Sequence, residues 1–209
     1  MSAELKETLE KIVSEKAPGP SPTFSILHML HAIELIAEKK LGRGKLAESL
    51  SVGEGAARTI VDRLKSAGLI ETSRGGCVLT AKGVKLWREY KSIFEKKVEI
   101  EENELTLSGY NFAIHVKNRG NKIKSGVEQR DAAVRAGAKG ATTIVFADGK
   151  LKIPSVSHNA QGDFPKVTAQ IFMLFKLDEN DVVIIVSAED LRKANYGALA
   201  AAWTLIGDC

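Results

Sequence analysis

Apolar residues recur along the chain with two different periods, and the change of period divides it. Over residues 3–16, Leu5, Leu9, Ile12 and Val13 share one helical stripe. The segment APGPSP (17–22) must end that helix, because proline lacks the amide hydrogen and fixes φ. The same period predicts helices over residues 24–39, 45–50 and 54–67, the last with Ala57, Ile60, Val61 and Leu64 in its stripe. Gly68 stops it. The run LIETSRGGCVLT then reads as two short strands around a Gly75-Gly76 turn, and Thr80 stands where it would cap a helix over 81–97.

After the acidic EIEENE (99–104) the pattern changes, and here we place a boundary between domains over 1–98 and 105–209. A strand is expected over 109–118 and a helix over 124–138. A hairpin follows around Asp148-Gly149, a pair suited to a type I′ turn. Its register sets Phe146 opposite Leu151 and Ile144 opposite Ile153, with Lys150 and Lys152 on the other face. A helix over 167–177, a buried strand over 181–187 and a helix over 189–206 complete the order β-α-β-β-α-β-α. Its first six elements match the split-βαβ, ferredoxin-like arrangement.

Apolar residues make up 44% and charged residues 27%, which supplies a packed core and excludes general disorder. No apolar run approaches the ~20 residues that span a bilayer, so no membrane is expected. The first sixteen residues alternate in charge and lack the apolar core of a signal peptide. Cys77 and Cys209 are too few for a metal cluster and read as reduced thiols of a cytoplasmic protein. Charge is uneven: residues 1–97 carry net +5 and residues 98–209 net −1, so the first half can offer a phosphate-binding face.

Within that half, the short helix over 45–50, the corner at Gly53 and the helix over 54–67 make a helix-turn-helix. Glu54, Gly55, Arg58, Thr59, Asp62 and Lys65 are left facing outward. The stretch LAESLSV…AARTIVDRLKSAGLIETSRGGCVLTAKG resembles the winged-helix domain of prokaryotic transcription regulators over about residues 24–97. That resemblance implies duplex DNA as partner, the helix 54–67 in the major groove, and contacts from Lys45, Arg58, Thr59, Arg63 and Arg74. The fold class expected is therefore α+β, a winged helix-turn-helix followed by a ferredoxin-like domain. APGPSP, GVEQRDAAVRAGAKGATT and YGALAAA make the whole chain similar to an archaeal family joining a winged helix to a domain of unknown function. One departure matters: Gly55 and Ala56 replace side chains that would reach base edges, leaving Arg58 as the candidate for base readout.

Elsewhere the chemistry is thin. His28 and His31, near Glu34 and Glu38, flank the stripe Ile26, Leu27, Leu30, Ile33 and are read as helix-face residues, so no metal or cofactor is expected. Asp131 shares a stripe with Val127 and Val134 and should face the sheet, as part of an ion-pair cluster, a ligand anchor or a catalytic acid. The polar loop 154–165 adds His158, Asn159 and Asp163, and with Asp131 these form the candidate site for a small-molecule effector. No P-loop, nucleophile elbow, zinc spacing or dinucleotide fingerprint is present, so the expectation is a non-enzyme. The Ala- and Gly-rich YGALAAAW (196–203) reads as core packing, with a dimer face as the alternative. Val84, Trp87, Lys91, Phe94 and Val98 recur at steps of three and four, which predicts a homodimer seam on the helix over 81–97. The reading is a DNA-binding transcription regulator whose second domain senses an effector or mediates assembly. The alternatives are a protein-interaction scaffold, or a small-molecule binder or enzyme working through the second domain.

Overall fold

The computed structural model describes residues 2–14 and 23–206; the linker 17–22 and Cys209 lie outside the described residues. The chain divides between Tyr90 and Lys91 into two compact units.

In the first unit, helices α1 (Ser2–Ser14), α2 (Ile26–Glu38), α3 (Arg43–Leu50) and α4 (Glu54–Ser66) precede a hairpin of β1 (Ile70–Ser73) and β2 (Gly76–Leu79). Helix α5 (Ala81–Ile93) follows. The expected stripes of α1, α3 and α4 close on one another, with Leu5, Leu9, Leu46, Leu50, Ile60 and Leu64 fully buried, whereas α2 is turned from the expected stripe and buries Met29, Leu30, Ala32, Ile33 and Ile36 while Ile26 and Leu27 are half-buried. Ser51 turns the corner between α3 and α4 in the left-handed region (φ 54°), and the Val52 amide donates to the Ala47 carbonyl at 3.0 Å. Leu41 forms an isolated antiparallel bridge with Cys77, whose amide donates to the Leu41 carbonyl at 2.8 Å, and this ties the segment before α3 to the wing. That approach needs glycine at position 76: its φ is +115°, and a Cβ there would lie 2.7 Å from the Leu41 carbonyl carbon.

The helix expected over 81–97 stops at Ile93, and the next residues are strand β3 (Phe94–Glu99) of the second unit. Val98 and Ile100, two apart, both pack on that unit's core, which is strand rather than helix spacing. The division between units therefore falls earlier than 98/105. The expected dimer seam is also broken. Phe94 is buried in the strand opposite Val116, and Trp87 stacks on Tyr90 of its own helix at 5.1 Å between ring centroids.

The second unit continues with β4 (Tyr110–Val116), a 3₁₀ turn at Gly120–Lys122, α6 (Val127–Arg135), β5 (Gly140–Ala147) and β6 (Lys150–Lys152). Then come α7 (Ala160–Asp163), α8 (Pro165–Leu174), β7 (Val182–Ala188) and α9 (Leu191–Trp203). The hairpin has the expected Phe146–Leu151 pairing, with Asp148 and Gly149 at φ 55° and 70°. Among the described residues the sheet runs β3-β4-β7-β5-β6, antiparallel throughout. This is not the ferredoxin-like order, which would put β6 between β4 and β5; β7 lies there instead. The reason is burial. Every residue of β7 is buried, so it needs a strand on each edge and helices on each face, whereas the short β6, with lysine at both ends, suits an edge.

Helices α6 and α9 cover one face of the sheet, and α7 and α8 cover the other through Ala160, Val167 and Ile171. The small residues of α9 are spent on core packing: a Cβ at Gly197 would lie 2.8 Å from Ala138 Cβ and 2.9 Å from Val186 Cγ1.

Candidate nucleic-acid interface

Helix α4 buries Ala57, Ile60, Val61 and Leu64 and turns Glu54, Gly55, Arg58, Asp62 and Lys65 to solvent, as its stripe requires. Arg58 is well exposed, and among the described residues its side chain is held only by a long i,i+4 contact to Asp62 at 3.9 Å. Beside it opens a concavity of about 550 Å³ lined by Arg43, Gly44, Glu54, Gly55 and Arg58, where the starts of α3 and α4 meet. Arg43 is the functional candidate that the sequence reading missed. It is exposed and makes no ion pair or hydrogen bond among the described residues. It also stands near the wing. Burial pushes the Cys77 thiol up, and the Arg43 charge partly opposes that shift. The signal available in the sequence was the glycine on each side of it.

The other expected DNA contacts fare differently. Lys45 is exposed and pairs with Glu48 at 2.9 Å, and its hydrogen bond and charge hold the Glu48 carboxyl below the usual range. Exposed pairs of this kind are weak and can yield to a phosphate. Thr59 spends its hydroxyl on the Gly55 carbonyl one turn back, at 3.0 Å. Arg74 is exposed in the turn of the wing.

Arg63 is a correction. Its side chain is buried, and Nη1 donates to the carbonyls of Ile12 (3.1 Å) and Val13 (2.6 Å) while the guanidinium lies 5.2 Å from the Phe24 ring centroid. Position 63 falls three after Ile60 and one before Leu64, on the flank of the buried stripe. There a cation satisfies carbonyls at the C-terminal end of α1 and complements its dipole. It is a structural clasp and not a DNA contact.

In the second unit the expected effector residues are not gathered. Asp131 does not face the sheet: its side chain is 46% exposed and pairs with Arg130 at 2.9 Å. Val127 and Val134 are also exposed, because α6 turns Gln129, Ala132 and Ala133 inward to pack closely against α9. His158 and Asn159 are exposed in the segment before α8, and Asp163 accepts a hydrogen bond from Ser157 Oγ at 2.5 Å. These three belong to the α7–α8 face of the sheet and Asp131 to the α6 face, so no pocket unites them. A buried polar centre lies elsewhere. His115 Nε2 bonds to Asp181 Oδ2 at 2.7 Å, both side chains are 1% exposed, and Asp181 also accepts the amides of Asn118 (2.8 Å) and Asp178 (3.0 Å). The histidines on α2 have local partners: His28 Nδ1 accepts the Ser25 amide at 3.1 Å, and His31 Nδ1 lies 3.1 Å from Glu34.

Comparison with known proteins gives these geometries a context. Residues 23–94 match the family described as the CggR N-terminal DNA binding domain, and residues 107–205 match a domain of unknown function, DUF4443. Among solved structures, hypothetical protein PH0730 from Pyrococcus horikoshii OT3 is 30% identical with a TM-score of 0.71, over 87% of this chain and 92% of that one. Lactococcus lactis ZitR matches at 24% identity and a TM-score of 0.30, over 43% of this chain and 68% of that one, too slight a likeness to build on. No curated protein matches the chain. No helix among the described residues is long and apolar enough to cross a membrane.

Proposed function

Because this chain belongs to the family of the Pyrococcus horikoshii protein and carries a CggR-type DNA-binding domain, we propose that it is a transcription regulator that docks α4 on duplex DNA. The observation that carries the reading is the division of α4 into a buried stripe and an exposed face on which Arg58 stands beside Arg43, whose side chain has no ion-pair partner among the described residues. Arg43, Lys45 and Arg74 supply phosphate contacts, which position the protein, and Arg58 supplies base readout. The second unit binds an effector or mediates assembly. A two-fold dimer would present two such faces to half-sites about one helical turn apart.

The test is fluorescence anisotropy of the full chain on a labelled duplex across a salt series. Affinity should fall steeply with salt, because each phosphate contact releases condensed counterions. On a site selected from random sequence, Arg58→Ala should lose about 1–3 kcal/mol and relax the selectivity. Absence of salt-dependent duplex binding would overturn the proposal, and unchanged selectivity in Arg58→Ala would remove that residue from base readout.

A further inference from the structure

Helix α8 is apolar on two sides. Val167, Ile171 and Leu174 turn one stripe to the core beneath the sheet. The opposite stripe, Pro165, Ala169 and Met173 at steps of four, faces solvent with Phe172 at its edge. Met173 is 78% exposed and Phe172 46%. Phe172 also meets the half-buried Phe146 of β5 edge to face, at 6.3 Å between ring centroids, so the apolar surface continues from the helix onto the sheet. One stripe is enough to dock a helix on its sheet, and a helix apolar on both sides has a second contact to make. Among the described residues no element covers the second stripe.

The charges beside this surface are ordered. Strand β3 and the segment after it run along one flank of α8 in the opposite direction. Lys96 Nζ donates to the Leu174 carbonyl at the C-terminal end of the helix (2.9 Å), and Gln170 Nε2 reaches the Glu101 carbonyl (3.5 Å). The Glu104 carboxylate accepts the amides of Lys166 and Val167 at the N-terminal end (2.8 and 2.9 Å). The flank is therefore basic where α8 ends, at the exposed Lys96, and acidic toward where it starts, at the exposed Glu101, Glu102 and Glu104. Lys166 stands at the acidic end and is outnumbered there.

We propose that the outer face of α8 is where the second unit pairs with a second copy of this chain, the two helices lying antiparallel about a two-fold axis. The order of charges selects that occupant. A two-fold axis across the helices reverses their direction but keeps the two β3 flanks on the same side, so Glu101 and Glu102 of one copy meet the partner's Lys96. A parallel pair would set the acidic flank against the Phe172 flank instead. Duplex DNA or an anionic lipid surface would suit the basic end and be repelled by the acidic one, whereas a copy of the same surface suits both. Met173 is flexible enough to fill an uneven contact, and the small Ala169 one turn before it leaves room for the partner's methionine. Such pairing gives the assembly role read for the second unit its surface and rests on that reading, not on how α4 meets DNA. It also moves the dimer contact away from the helix expected over 81–97, where Phe94 is buried in a strand.

The experiment is sedimentation velocity of the full chain over a micromolar concentration series, with circular dichroism as the control for folding. The wild type should be a dimer. Met173→Glu should raise the dissociation constant by about tenfold or more, because pairing would then bury a carboxylate in an apolar contact, and should leave a folded monomer. The milder Met173→Ser should weaken pairing in the same direction. Glu101→Lys with Glu102→Lys should weaken the dimer several-fold, and adding Lys96→Glu to that chain should restore most of the loss, a recovery that a merely structural role would not give. A wild type that stays monomeric throughout the series overturns the inference and leaves the face to a different partner. A dimer that survives Met173→Glu overturns it by placing the contact elsewhere, and an unfolded Met173→Glu chain overturns it by making the face structural. Charge reversals that neither weaken nor restore the dimer overturn the antiparallel pairing. A wild-type dimer that binds no duplex leaves this inference standing and overturns the reading of α4 instead, while a monomer that binds duplex does the reverse.

Discussion

Removing the Arg63 guanidinium should separate stability from DNA affinity in the first unit. Nη1 donates to two carbonyls at the end of α1 and the guanidinium faces the Phe24 ring, so one buried group ties α1, α4 and the segment leading into α2. A hydrogen bond from a charged donor contributes roughly 1.5–3 kcal/mol, and a ring contact adds roughly 0.5–1. The two carbonyls share one nitrogen and their bonds do not add in full, so Arg63→Ala should destabilise by about 3 kcal/mol. Arg63→Met keeps the aliphatic stem over Phe24 and should lose about 2 kcal/mol, the hydrogen-bonded part alone. The assay is urea unfolding with matched slopes, joined to hydrogen exchange of the α1 amides. Leu5, Leu9 and Ile12 should lose protection first, since their docking depends on the clasp. At a temperature where the variant is folded, its duplex affinity should equal that of the wild type. A loss below about 1 kcal/mol with α1 still protected would refute the clasp. So would a folded Arg63→Ala that loses DNA affinity as Arg58→Ala does.

Two further outcomes follow from buried groups. Asp181→Ala strands His115 and two backbone amides inside the second unit and should destabilise it by roughly 3–5 kcal/mol in a urea melt; a change below about 1 would show that the pair is not structural. In the first unit, burial together with the charge and hydrogen bond of Glu34 raises the Tyr90 phenol well above its ordinary value. The unfolded chain ionises this group near pH 10, so the stability it contributes is whole below about pH 10 and drains away as pH rises further. In an absorbance titration against Tyr90→Phe, one of the three tyrosines should ionise only as the protein unfolds. Reversible ionisation of Tyr90 at the ordinary value in the folded protein would contradict this.

The sequence by itself determined the local elements and the DNA-binding architecture. Stripes at helical spacing located α1 to α4, Gly75-Gly76 located the wing, and Asp148-Gly149 set a hairpin with the observed Phe146–Leu151 register. These are short-range properties, written in residues a few positions apart. Tertiary structure decided whatever depends on which surface meets which. Residues 94–99 carry too few apolar side chains to announce a strand, and they become one because β4 offers an edge to pair with. The stripe through Val127, Asp131 and Val134 had helical spacing but turned outward, because close packing against α9 favoured the smaller Ala132 and Ala133. Strand order was likewise invisible. A wholly buried β7 and a short, lysine-bearing β6 compete for the central place, and burial on both faces decides for β7. At the candidate interface, spacing placed Arg58 on the exposed face, where it stands, and left Arg63 off that face; the family resemblance named Arg63 as a contact, whereas a cation on the flank of the stripe is turned inward here because carbonyls wait there. Arg43 was passed over for the opposite reason: the concavity it lines is formed by two helix starts together, a relation between segments that no single stretch of sequence contains.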